Sequence, residues 1–176
     1  MGAAFGDPKG TLAQVQKITE AVNNYLAIKT IVSLGTGVIV AIWVWVLGID
    51  FPVIWGLLAF LLNFIPNLGS IIAAVPPVLL GYIQFGIGRA LLVAVGFGVV
   101  NLVFGNALEP KLMGRKLGLS TLVVFLSLIF WGWVWGPAGM LLSVPITMVV
   151  KIALESNPST RWISILLDSE ASIIQS

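Results

Sequence analysis

The sequence predicts an all-α membrane protein: two spanning helices, each followed by a helical hairpin broken by Pro and Gly, with an amphipathic helix at the amino end. Three observations predict it. Of 176 residues, 59% are hydrophobic and only 9% charged, with mean hydropathy +1.07. A soluble domain carries about 25% charged residues, so water cannot be the only solvent of this surface. The charges also fall at the ends of four long uncharged runs, 30–49, 51–88, 90–108 and 117–150. Finally, two of those runs are too long for a single crossing. A run of 34 residues would extend ~51 Å as a helix, against a hydrocarbon core of ~30 Å.

The amino end comes first. Gly2, Gly6, Asp7, Pro8 and Gly10 predict a disordered start. From Thr11, apolar Leu12, Val15, Ile18, Val22, Tyr25 and Leu26 recur at intervals of three and four, with Gln14, Lys17, Glu20 and Asn24 on the other side. That spacing predicts an amphipathic cytoplasmic helix on a membrane surface or against partner helices, within residues 1–29. A transmembrane domain occupies 30–152, and 153–176 form a cytoplasmic tail.

The first span covers 30–48. The second run opens on Phe51-Pro52 and is broken at Ile65-Pro66-Asn67-Leu68-Gly69-Ser70, where Pro removes a donor and Gly admits unusual backbone angles. The fourth run is broken at Gly136-Pro137-Ala138-Gly139. Each long run therefore folds back as a hairpin, re-entrant or fully spanning. The two breaks share a pattern: Pro, Gly, branched aliphatics, a small residue, then Val-Pro (Val75-Pro76 and Val144-Pro145). Residues 30–88 and 90–152 thus read as an inverted repeat with broken helices, a plan used by secondary transporters.

Charge sets the orientation. With the amino end inside, Lys9, Lys17, Lys29, Lys111, Arg115, Lys116, Lys151 and Arg161 lie on the cytoplasmic side and Arg89 alone lies outside. Both termini are then cytoplasmic. Trp43, Trp45, Trp55, Trp131, Trp133 and Trp135 read as an interfacial aromatic belt.

With no Cys and no His, the chain lacks the thiolate, imidazole and most zinc chemistry that enzymes use. No cofactor or metal is expected. The net charge of +2 excludes a nucleic-acid footprint. Chemistry is instead sought where polar groups interrupt apolar runs, because such groups are costly in lipid. The candidates are Asn63, Pro66, Asn67, Gly69 and Ser70 at the first break, Asn101 and Asn106 in the second span, and Pro137, Gly139 and Ser143 at the second break. Broken helices leave N–H and C=O groups for a polar solute to meet. Glu109 is the ion-coupling candidate, with a salt bridge to Lys111 or Arg115 as its structural alternative.

Two stretches carry a family resemblance: Asn63-Phe64-Ile65-Pro66-Asn67-Leu68-Gly69-Ser70 followed by Pro76-Pro77, and Gly105-Asn106-Ala107-Leu108-Glu109-Pro110-Lys111-Leu112-Met113-Gly114-Arg115. Together with residues 125–155, including Trp131-Gly132-Trp133, they resemble the autoinducer-2 exporter family of bacterial membrane proteins. The resemblance implies an inner-membrane carrier exporting a small polar signal, autoinducer-2, and assembling as a homo-oligomer. Some relatives imply sodium- or lithium-linked proton exchange instead. Family members are roughly twice this length, which implies a missing amino-terminal half and leaves a subunit without independent transport as a third expectation.

Overall fold

The structure, a computed structural model, describes residues 8–66, 68–113, 119–155, 160 and 167. Most of these are helical, with no strand among them. In order they form α1 (Pro8–Val46), α2 (Pro52–Leu62), α3 (Leu68–Phe85), α4 (Ile87–Val100), a π-helix (Asn101–Leu108), α5 (Glu109–Met113) and α6 (Thr121–Glu155). Among the described residues, four helical stretches are long and apolar enough to cross a membrane: Ile18–Val46, Leu68–Phe85, Ile87–Leu112 and Leu122–Glu155. Residues 27–114 make one compact unit, and residues 1–26 with 115–176 make another.

The amino end differs from expectation. The surface helix and the first span are one uninterrupted helix of 39 residues, and helix already begins at Pro8. Nothing between Thr19 and Val40 breaks it: the stretch holds no proline, and its two glycines, Gly35 and Gly37, each cost only about 1 kcal/mol. The expected start at residues 1–7 and most of the tail beyond Glu155, Arg161 included, lie outside the described residues.

In the unit of residues 27–114, the core is apolar. Val40, Val44, Leu47 and Ile49 from α1 and its end pack with Ala59, Ala73, Val93, Phe97 and Val100. In lipid no hydrophobic term drives helix onto helix, so close contact must supply the attraction. Glycine supplies it here. A Cβ on Gly56 would lie 2.6 Å from the Gly37 carbonyl oxygen, and one on Gly37 would lie 2.7 Å from that of Gly56. The two backbones meet because neither carries a side chain.

The α1–α4 contact is built differently. The Trp43 indole covers Gly96 and donates to the Leu92 carbonyl at 3.1 Å. Trp43 therefore ties helices together rather than serving in an aromatic belt. Trp43→Phe, which removes both the donor and the ring edge that lies against Gly96, is expected to cost about 1–3 kcal/mol in thermal unfolding in detergent. Farther along, Phe104 lies against Gly35, and Lys29 meets Glu109. The helices therefore run antiparallel in one register through the π-helix.

At the Leu47 end, the Arg89 guanidinium donates to the Leu47 carbonyl and stacks over Phe85 at 4.7 Å. The Gln84 amide also donates to the Asp50 carboxylate there. The start of α2 and the end of α3 consequently lie together.

In the second unit, α6 is not one straight rod. Gly136 has φ 64 and ψ −146, which is not helical. The Trp131 indole donates to the Thr147 hydroxyl at 3.3 Å, although a straight helix would separate these residues by ~24 Å. The chain folds back at Gly136, a conformation that glycine tolerates and other residues rarely adopt.

Candidate functional site

The first break has the polar character that the sequence suggests, and its Asn63 is buried. Asn63, 7% exposed, donates from Nδ2 to the Ser33 hydroxyl at 2.9 Å, and Ser33 is fully buried. This ties the end of α2 to α1 at a fixed depth. Ser33 lies 14 residues before Leu47 and four after Lys29, so the contact is ~21 Å along α1 from the Leu47 end and ~6 Å from Lys29. The short α2, 11 residues long, can rise only ~17 Å before the turn begins.

The turn closes tightly. The Gly69 N–H donates to the Ile65 carbonyl at 3.2 Å. A Cβ on Gly69 would overlap the Leu62 carbonyl oxygen and sit 2.6 Å from its carbon. Gly69 thus lets α2 and α3 approach. Pro66 is half-buried within the turn, and Asn67 lies outside the described residues.

Next to the turn, Ser70 and Asn101 line a small cavity together with Thr36, whose hydroxyl donates to the Val32 carbonyl at 3.0 Å. The same Ser70 and Asn101 stand at one end of a groove of ≈ 380 Å³ between α3 and α4. Apolar Ile71, Val75, Val78 and Leu79 form much of its wall. Among the described residues, no charged side chain lines either space. Such surroundings suit a neutral molecule with a few polar groups, since an ion would lose its hydration without a counter-charge.

Asn106 stands apart, exposed on the π-helix. Asn101 opens that helix, and its Oδ1 lies 2.8 Å from where a Gly105 Cβ would be. Glu109 follows, with its N–H reaching five residues back to the Phe104 carbonyl. Its carboxylate accepts from the Lys29 ammonium at 2.6 Å, with the two side chains 18% and 4% exposed. Of the two expected partners, Lys111 forms no ion pair with Glu109 among the described residues, and Arg115 lies outside them. No group of three or more acidic, His or Cys side chains that could hold a metal occurs among the described residues.

The remaining candidates belong to the second unit. Pro137 is exposed just after the reversal. A Cβ on Gly139 would overlap the Trp131 carbonyl oxygen, the same close approach that Gly69 makes to Leu62. Ser143, fully buried, donates to the Met140 carbonyl at 2.8 Å, and Thr147 donates to the Ser143 carbonyl at 2.7 Å. The buried polar residues that sequence reasoning misses include Lys29, Ser33, Thr36 and Thr147. The signal available is their polarity at or within apolar helices; charge patterning alone makes Lys29 only a marker of sidedness.

A family model described as AI-2E family transporter matches residues 7–158. The AI-2 transport protein TqsA of Escherichia coli is 52% identical over 160 residues, covering 91% of this chain and 46% of that protein. YhhT of the same species, whose name specifies no solute, is 47% identical over 167 residues, covering 95% and 48%. YrrI of Bacillus subtilis is 32% identical over 142 residues, covering 81% and 40%. The chain spans about half the length of the curated relatives it matches.

Proposed function

Because the chain belongs to the AI-2E transporter family, whose members are transporters and not enzymes, we propose that it forms the solute-handling part of a bacterial inner-membrane carrier. The carrier moves a small uncharged polar molecule outward, and autoinducer-2 is the solute that the TqsA relationship favours. Residues 30–88 and 90–152 act as an inverted repeat, both termini are cytoplasmic, and the protein works as a homo-oligomer. A further amino-terminal half, supplied by the same or another chain, completes it.

One observation carries this reading: a buried Asn63–Ser33 contact at a helix break, ~21 Å from one end of an apolar unit in which Ser70, Thr36 and Asn101 line a small cavity. Polar groups at that depth are costly unless they serve a solute or a tertiary tie. The closures at Gly69 and Gly139 support the repeat, because each small residue sits below a carbonyl of the preceding arm.

Cation–proton antiport is the second reading, with Glu109 as its carboxylate. The Lys29 ammonium already occupies that carboxylate, so a cation would have to displace it. Neutral-solute transport is favoured for that reason.

Replacing Asn63 and Asn101 together by Leu is expected to reduce autoinducer-2 efflux at least tenfold while the protein remains in the membrane. Efflux is measured from cells expressing the variant, beside membrane levels by immunoblot. Undiminished efflux at normal levels would remove the break as the site.

A further inference from the structure

The helix pair formed by α1 with α4–α5 is fastened very differently at its two ends. At one end the fastening has no slack: Trp43 covers Gly96 and donates to Leu92, and Arg89 donates to the Leu47 carbonyl. Beyond Val100 the character changes. Residues 101–108 are π-helical and none is buried. Among the described residues, they are held by Phe104 against Gly35 and then by the ion pair of Lys29 with Glu109.

A π turn bonds each residue to the one five back, so it holds one more residue than an α turn. Returning this segment to α geometry would shift the following residues by about one position, turning Glu109 ~100° about the helix axis. Pro110 explains why the wider turn is favoured in the paired form. In an α-helix its ring would press on the carbonyl four residues back, that of Asn106. Gly105, without a side chain, leaves room for Asn101 in the wide turn.

We propose that residues 101–109 are a two-position latch. In the π form, Glu109 is bound to Lys29 and this end of the unit is shut. In the α form the carboxylate leaves Lys29 and the end opens, while the Trp43–Gly96 fastening stays in place. Lys29 is almost wholly buried, so the charges separate only when water reaches them, which makes the change abrupt rather than gradual. The latch rests on the membrane reading of this unit, but on neither the identity of the solute nor its binding at the break.

The test reads distance, not transport. The chain has no cysteine, so spin labels can be placed singly on introduced thiols in liposome-reconstituted protein. Labels at Ile31 and Leu112, both exposed, report the latch end; labels at Val46 and Leu91, also exposed, report the fastened end. The latch predicts two distances for the 31–112 pair, with Glu109→Gln moving most of the population to the longer one. Deleting Val103 from the π segment should do the same with the carboxylate still present. The 46–91 distance should stay single throughout, which also shows that each variant is folded. If Glu109→Gln disturbs the 46–91 distance, the Val103 deletion and Lys29→Met decide. One unchanged 31–112 distance in the wild type and in every variant whose 46–91 distance is intact would overturn the latch.

Discussion

Alanine at Gly69 is expected to abolish the first hairpin, with folded protein disappearing from the membrane rather than working less well. The added Cβ would overlap the Leu62 carbonyl oxygen and lie 2.6 Å from its carbon. Both atoms are backbone, so no rotamer change relieves the overlap. The arms of the hairpin must separate, and the Asn63–Ser33 contact goes with them. Overpacking of a yielding core costs about 1–3 kcal/mol, and this rigid site should exceed that range. Gly139→Ala should behave alike, since its Cβ would meet the Trp131 carbonyl. Gly98→Ala is the control: nothing lies within 4 Å of its Cβ, and better helix propensity should leave stability unchanged or raise it by up to about 1 kcal/mol. Thermal unfolding in detergent and membrane levels measure all three. A Gly69→Ala protein melting like wild type would show that the turn is not closed in this way.

The second large effect concerns Lys29 and Glu109. Removing either partner leaves a charge in an apolar setting, a change that costs about 3–5 kcal/mol in fully buried pairs. Glu109 keeps 18% of its side chain exposed, which lets solvent screen it and lowers the expectation to about 2–3 kcal/mol for Lys29→Met alone. Lys29 is only 4% exposed, so Glu109→Leu alone should cost more than Lys29→Met. The double variant strands neither charge and should recover most of the loss. Unfolding of the four proteins forms a double-mutant cycle. Losses that simply add would mean that the two side chains do not interact.

Much of the helix plan was legible because it depends on local chemistry. Pro66 and Gly69 announce a break wherever they stand in an apolar run, and Gly136-Pro137 does the same. The features that were missed depend on partners distant in sequence. Glu109 finds Lys29 across 80 residues, and nothing near Glu109 marks that choice over Lys111. Ser33 and Asn63 are 30 residues apart, and only the packing of α1 with α2 brings them together. Trp43 resembles its exposed neighbour Trp45 in sequence, and the decisive difference is Gly96 on the facing helix. The π-helix has one faint cue, Pro110 immediately after Glu109. The first break was therefore legible as a polar interruption of an apolar run. That Asn63 meets Ser33, that Ser70 and Asn101 share a cavity, and that Gly69 and Gly139 sit against backbone carbonyls all depend on tertiary packing.

The most direct test is protection of a thiol at Ser70 by the solute itself. In membrane vesicles containing the Ser70→Cys protein, rising autoinducer-2 should slow labelling by a small maleimide in a saturable manner, while Gln84→Cys at the far end of α3 labels at its usual rate. Identical labelling of the introduced thiol with and without the solute, in protein that is folded and membrane-inserted, would contradict a solute site at the first break.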